Sequence, residues 1–169
     1  MTDGATQYEL LLLRDMVGDK QPIAWGAAMG AALENLRAMK MVRMVRFTAT
    51  ITDLGLAELY KHLDTRDVTL SELGQELRRR DDVEYRGTSD NKGEDRYIIP
   101  LPDSELVTAA FDFLAEQAFF WYVDGGPTRR LSIPDCYAIT KLVGRVPEHY
   151  NREGRARALR FDFRQKGET

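Results

Sequence analysis

Leu33-Glu-Asn-Leu-Arg-Ala-Met-Lys-Met-Val-Arg-Met-Val-Arg-Phe-Thr-Ala-Thr-Ile-Thr-Asp-Leu-Gly-Leu-Ala-Glu-Leu59 changes its hydrophobic period twice. Met29, Leu33, Leu36 and Met39 recur at helical spacing and end the first helix of this stretch. From Met44 to Ile51 the pattern alternates, with Val45, Phe47, Ala49 and Ile51 on one side and Arg46, Thr48 and Thr50 on the other. That is the signature of a half-buried strand. Thr52 or Asp53 then caps a helix whose Leu56, Leu59, Tyr60 and Leu63 return to helical spacing. Helix, strand and helix in this order predict an α+β fold.

Working toward the N-terminus, Pro22 suits the first turn of the helix that carries Trp25 and Met29, and Gly26 and Gly30 predict a break near Gly30. Thr6-Gln-Tyr-Glu9 has the spacing of a capping box and opens an earlier helix, about Gln7 to Val17. Leu10 to Leu13 make that helix apolar almost all round, which predicts burial. Toward the C-terminus, Asp64 to Asp67 marks a boundary, giving a domain over 1–65 and a second over 66–169. This junction lacks Gly, Ser or Pro enrichment, so the halves are expected to pack closely, with Val68 and Leu70 between them. Thr69-Leu-Ser-Glu72 opens a helix to about Arg80, and strands at Val83–Arg86 and Arg96–Leu101 flank a polar hairpin tip at Gly87–Gly93. A helix is expected from Pro102–Glu105 through Leu106, Ala110, Phe113, Leu114 and Gln117. Ala118 to Val123 either continues it or pairs as a strand with Arg130 to Ile133. Ser132 caps a helix ended by Gly144, and Leu159 to Arg164 alternates as a strand, with Leu159, Phe161 and Phe163 inward.

Composition narrows the function classes. The chain has 169 residues, 43% hydrophobic and 30% charged, close to ordinary globular usage. Its net charge is -3, and the middle is acidic: residues 66–105 hold 7 basic and 11 acidic side chains. No long basic tail advertises nucleic acid, so that reading must rest on a local patch. Cys136 stands alone, which excludes an internal disulfide, and His62 and His149 leave little for a metal site. The longest apolar run, Ile23 to Leu33, is too short for a membrane span, and no signal-like segment is evident, so a cytoplasmic location is expected.

The order of elements, with Leu33, Leu36, Met41 and Val42 followed by Ile51, Thr52, Asp53 and Gly55, resembles the winged helix-turn-helix domain of small bacterial regulators of the MarR and PadR kind. The likeness covers about residues 6–63 and implies a dimeric DNA-binding regulator. One departure stands out: Arg43 to Thr50 contains no Gly, Pro, Asn or Asp, so the wing is expected to be a stub without a proper turn. The net +3 of residues 33–50 supplies candidate contacts, with Asn35 and Arg37 for base edges and Lys40, Arg43 and Arg46 for phosphates.

Enzymatic signals are weak. The Gly87–Gly93 loop lacks the Lys-Ser/Thr pair of a phosphate loop, no second carboxylate set faces Asp81 and Asp82, and His149 and Cys136 stand alone. A non-enzymatic protein without cofactor is expected. The run Phe119-Phe-Trp-Tyr122 reads as core, and the arginines at 145, 152, 155, 157, 160 and 164 read as the guarded face of an edge strand. The alternative function is an interaction module, an adaptor or inhibitor presenting Asp81, Asp82, Glu84, Asp90, Glu94 and Asp95 to a basic protein partner.

Overall fold

The computed structural model describes residues 4–18, 21–22, 27–46, 48–88, 94–101, 105–123, 129–148 and 157–164. They form a mixed α+β structure of two compact units, divided between Leu63 and Asp64. Among the described residues, no helix is long and apolar enough to cross a membrane.

The first unit runs α1 (Gln7–Gly18), β1 (Gln21–Pro22), α2 (Ala27–Ala38), β2 (Val42–Val45), β3 (Thr48–Ile51) and α3 (Asp53–Lys61). The capping box at α1 is complete: the Thr6 N–H donates to the Glu9 carboxylate at 2.9 Å, and the Glu9 N–H donates to the Thr6 hydroxyl at 3.2 Å. Leu12, Leu13, Met16 and Val17 are buried, but Tyr8 and Leu11 remain 44% and 45% exposed. The helix is therefore buried on one side only, which corrects the expectation of burial all round. Pro22 sits in β1 opposite Thr48 rather than in a helical first turn. Trp25 lies outside the described residues. α2 runs through Gly30 without the expected break, and a Cβ there would meet nothing within 4 Å.

The single strand expected over 44–51 is a hairpin. β2 and β3 pair antiparallel from Val42↔Ile51 to Val45↔Thr48, leaving a two-residue connection in which Arg46 has φ 55°. An arginine in the left-handed region costs about 1–2 kcal/mol. The ladder on either side and the Thr48 hydroxyl, which donates to the Val45 carbonyl at 3.1 Å, oppose that cost. The missing turn signal thus did not mean a missing turn, and Val45, placed inward by the alternation, is 51% exposed. β3 is the middle strand of a sheet ordered β1-β3-β2. The Thr52 hydroxyl caps α3 by accepting from the Gly55 N–H at 3.2 Å, while donating to the Lys40 carbonyl at 2.6 Å. At Gly55 a Cβ would press into the Met41 carbonyl oxygen and stand 2.7 Å from Ile51 Cγ1, so only glycine permits this approach.

The second unit runs α4 (Leu70–Arg79), β4 (Glu84–Thr88), β5 (Glu94–Pro100), β6 (Leu106–Asp112), β7 (Gln117–Tyr122), α5 (Ile133–Val143) and β8 (Leu159–Asp162). Its five strands pair antiparallel in chain order. The helix expected from residue 105 to 117 is instead β6 and the start of β7. Val107 to Phe111 are all buried, as a central strand requires, so the alternation that marks half-buried strands is absent. The turn between them is held by the Asp112 carboxylate, which accepts from the Ala115 N–H at 3.1 Å, and by Glu116 at φ 54°. Leu114, expected on the helix's buried stripe, is 82% exposed at that turn. β7 pairs with β6 and β8, not with residues 130–133.

One face of this sheet carries the core. Tyr97, Phe111, Phe120 and Phe161 are fully buried, and their ring centroids follow one another at 5.0, 6.3 and 5.6 Å across four strands. α4 lies against this row, where Gly74 leaves room for the Tyr97 hydroxyl; a Cβ would come within 2.9 Å of it. α5 starts at Ser132, whose hydroxyl accepts from the Asp135 N–H at 3.2 Å, and ends at Gly144 with φ 75°. The Tyr122 hydroxyl donates to the buried Asp135 carboxylate and accepts from the Ser132 N–H at 3.1 Å, tying α5 to β7.

Candidate nucleic-acid interface

The five expected DNA contacts divide into two groups. Asn35 and Arg37 lie on the exposed side of α2. The Asn35 amide donates to Glu9 at 2.8 Å, and that carboxylate is nearly inaccessible. Arg37 pairs with Glu34 one turn earlier; its guanidinium holds the Glu34 carboxyl below its usual range, and the pairing raises Arg37 in turn. The other outward residues of α2, Ala31 and Ala38, have no polar group to offer. Both candidate base readers therefore already have protein partners.

Lys40, Arg43 and Arg46 differ. Lys40 ends the turn after α2 with φ 62°, Arg43 lies on β2 opposite Thr50, and Arg46 makes the hairpin turn. All three are exposed, and among the described residues no carboxylate pairs with them. Together they offer point charges and donors suited to phosphates. Comparison with protein families, curated proteins and solved structures finds no match. The site is read from its own residues.

The acidic candidates do not gather into one open patch. Asp82 pairs with Arg80 at 2.7 Å, which lowers its carboxyl pKa; Glu84 pairs with Arg86 at 3.2 Å and Glu94 with Arg96 at 3.0 Å. Asp95 points to the opposite side of β5 from Glu94, is buried, and accepts from Arg78 at 2.6 Å. Asp81 is exposed, and Asp90 lies outside the described residues.

The remaining sequence signals find quieter places. His62 Nε2 is 3.6 Å from Glu58, a buried carboxylate that also accepts from the Ala5 N–H at 2.9 Å. Cys136 is buried in α5. His149, Arg152 and Arg155 lie outside the described residues. Arg145 stacks 4.3 Å over Phe163 and donates to the Val68 carbonyl at 2.7 Å. It lines a groove with Arg66 and Arg164, but Asp67, Glu116 and Asp162 line it too, so its charge is mixed. Among the described residues, no group of three His, Cys, Asp or Glu side chains could hold a metal ion.

The aromatic run splits. Phe120 and Tyr122 enter the core, while Phe119 and Trp121 occupy the other face of β7, half-buried. Treating the run as one block of core missed these two, although strand periodicity, once the segment is read as a strand, puts alternate residues on opposite faces.

Proposed function

We propose that the first unit binds duplex DNA as a winged-helix-like module without enzymatic activity, gripping phosphates more than reading bases. The observation that carries this is the β2–β3 hairpin with the turn that leads into it, where Lys40, Arg43 and Arg46 are exposed and make no salt bridge among the described residues. The sheet order β1-β3-β2, with two helices before the hairpin and one after it, supports the same reading. Exposed Tyr8 and Leu11, one turn apart on α1, favour pairing with a second copy, as binding to two half-sites needs. The engagement of Asn35 by Glu9 and of Arg37 by Glu34 points to weak sequence preference.

The test is a salt titration of binding to a mixed-sequence duplex. Replacing Lys40, Arg43 and Arg46 together with Ala should reduce the slope of log affinity against log salt by about 2.7, at roughly 0.9 per phosphate contact. Asn35→Ala should change affinity little on any sequence. Absence of duplex binding at low salt, or an unchanged slope in the triple variant, would sink the reading.

A further inference from the structure

The face of the five-stranded sheet opposite the aromatic core is built from a different set of side chains. Strand register places Ile98, Thr108 and Trp121 in one row, and Arg96, Ala110, Phe119 and Arg160 in the next. The two residues from the central strand are small. Thr108 stands opposite Trp121 and Ala110 opposite Phe119, so each ring has a low neighbour across the ladder. Thr108 and Ala110 are themselves buried, and the two half-buried rings stand beside them on β7. Phe119 and Trp121 are two residues apart on one strand, about 7 Å at the usual rise.

Each ring also has an arginine beside it. The Arg96 guanidinium lies 6.0 Å from the Trp121 ring, and Arg160 is the direct ladder partner of Phe119. The carboxylates at the end of this face are engaged: Glu94 pairs with Arg96, Asp162 pairs with Arg164, and Asp112 caps the β6–β7 turn. Arg160 is exposed and, among the described residues, makes no salt bridge; its charge adds at longer range to that of Arg164 beside the Asp162 carboxylate. Two aromatic rings at single-strand spacing, each beside a cation, match the chemistry of nucleotides: a flat base with a phosphate next to it.

We infer that this sheet face binds single-stranded nucleic acid, with two successive bases stacked on Trp121 and Phe119 and the backbone held by Arg160, while Arg96 stays paired with Glu94. Stacking is indifferent to base identity, so little sequence preference is expected. The surface belongs to the second unit and the hairpin to the first, and the two readings stand or fall independently.

The experiment uses the full chain and labelled oligothymidylate and oligouridylate of about 10 nucleotides, a length within the range of single-strand sites. Binding is followed by anisotropy at low salt and then with rising salt. Phe119→Leu and Trp121→Leu keep an apolar side chain but remove the ring, and each should weaken binding roughly 5- to 150-fold. Arg160→Glu, at an exposed position that does not threaten folding, should weaken it as well and lower the salt slope by about 0.7 or more. Replacing Lys40, Arg43 and Arg46 should leave single-strand binding in place. Stronger binding of the uridylate would assign RNA, and stronger binding of the thymidylate would assign DNA; either supports the inference. No binding of either oligomer, loss of binding only in the hairpin variant, or full affinity in both leucine variants would overturn it, as would a face occupied by a peptide segment that leaves oligonucleotides unbound.

Discussion

Lys40, Arg43 and Arg46 stand on the first unit's hairpin and the turn before it without a carboxylate partner among the described residues, whereas in the second unit Arg86, Arg96 and Arg164 each meet a carboxylate two residues away along the chain. Residues i and i+2 of a strand share a face, so an acid at that offset neutralises its arginine locally. Charge totals conceal this. The second unit holds most of the arginines, yet among the described residues the first presents the denser run of cations without salt bridges. What matters for an anionic partner is the charge left after intramolecular pairing.

The largest expected effect strikes the first unit alone. Gly55→Ala forces a methyl group into the Met41 carbonyl and Ile51, where the backbone has no room to yield. A loss of about 3 kcal/mol or more is expected from such overpacking, with duplex binding lost alongside. Gly30→Ala is the matched control: its site is open, so a gain of roughly 0.5–1 kcal/mol is expected from helix propensity. Chemical denaturation of both variants measures the contrast, and equal effects would mean that α3 does not sit as close to β2 and β3 as described.

Tyr122→Phe tests the second unit. It removes the hydroxyl shared by Asp135 and the Ser132 N–H, leaving a buried carboxylate without that donor. About 1–3 kcal/mol of stability should go. A neutral result would show that α5 is held by apolar contacts alone.

Removing the neutralising acids addresses the comparison itself. The double variant Glu84→Gln with Glu94→Gln frees Arg86 and Arg96 without touching the hairpin. Non-specific affinity for nucleic acid should rise a few-fold at low salt, with a steeper salt dependence. No change would mean that those arginines point where no polyanion reaches.

The smallest effect is a titration. The Arg164 guanidinium holds the Asp162 carboxyl down to about 2, so Arg164→Ala should raise it toward the ordinary value near 3.9. Because the folded-state value is depressed, the pair stabilises above the ordinary carboxylate range and that contribution fades as pH falls toward 2. Screening at this solvent-facing pair keeps the stability change small, so carboxyl NMR rather than denaturation is the measurement.

Much of the fold was legible locally. The caps at Thr6, Thr52, Thr69 and Ser132 were readable because a hydroxyl three residues before a backbone N–H needs no distant partner. Gly144 was readable for the same reason, as a left-handed helix end. The β2–β3 and β6–β7 turns were missed because Arg46 and Glu116, not glycine or asparagine, occupy the positive-φ positions. Their strain is tolerated only because paired strands on either side hold it in place.

The sequence by itself determined an α+β chain, the caps that start its helices, and the cations of residues 33–50. Only the tertiary structure decided that β6 lies at the centre of a sheet, since a strand buried on both faces carries no period that distinguishes it from a helix. The same holds for the candidate sites. Asn35 was lost to Glu9 and Asp95 to Arg78 across long stretches of chain, and Trp121 was turned out of the core by strand register. Such pairings exist only after folding brings distant residues within hydrogen-bond reach, where each short-range partner removes a group from the surface that sequence had offered.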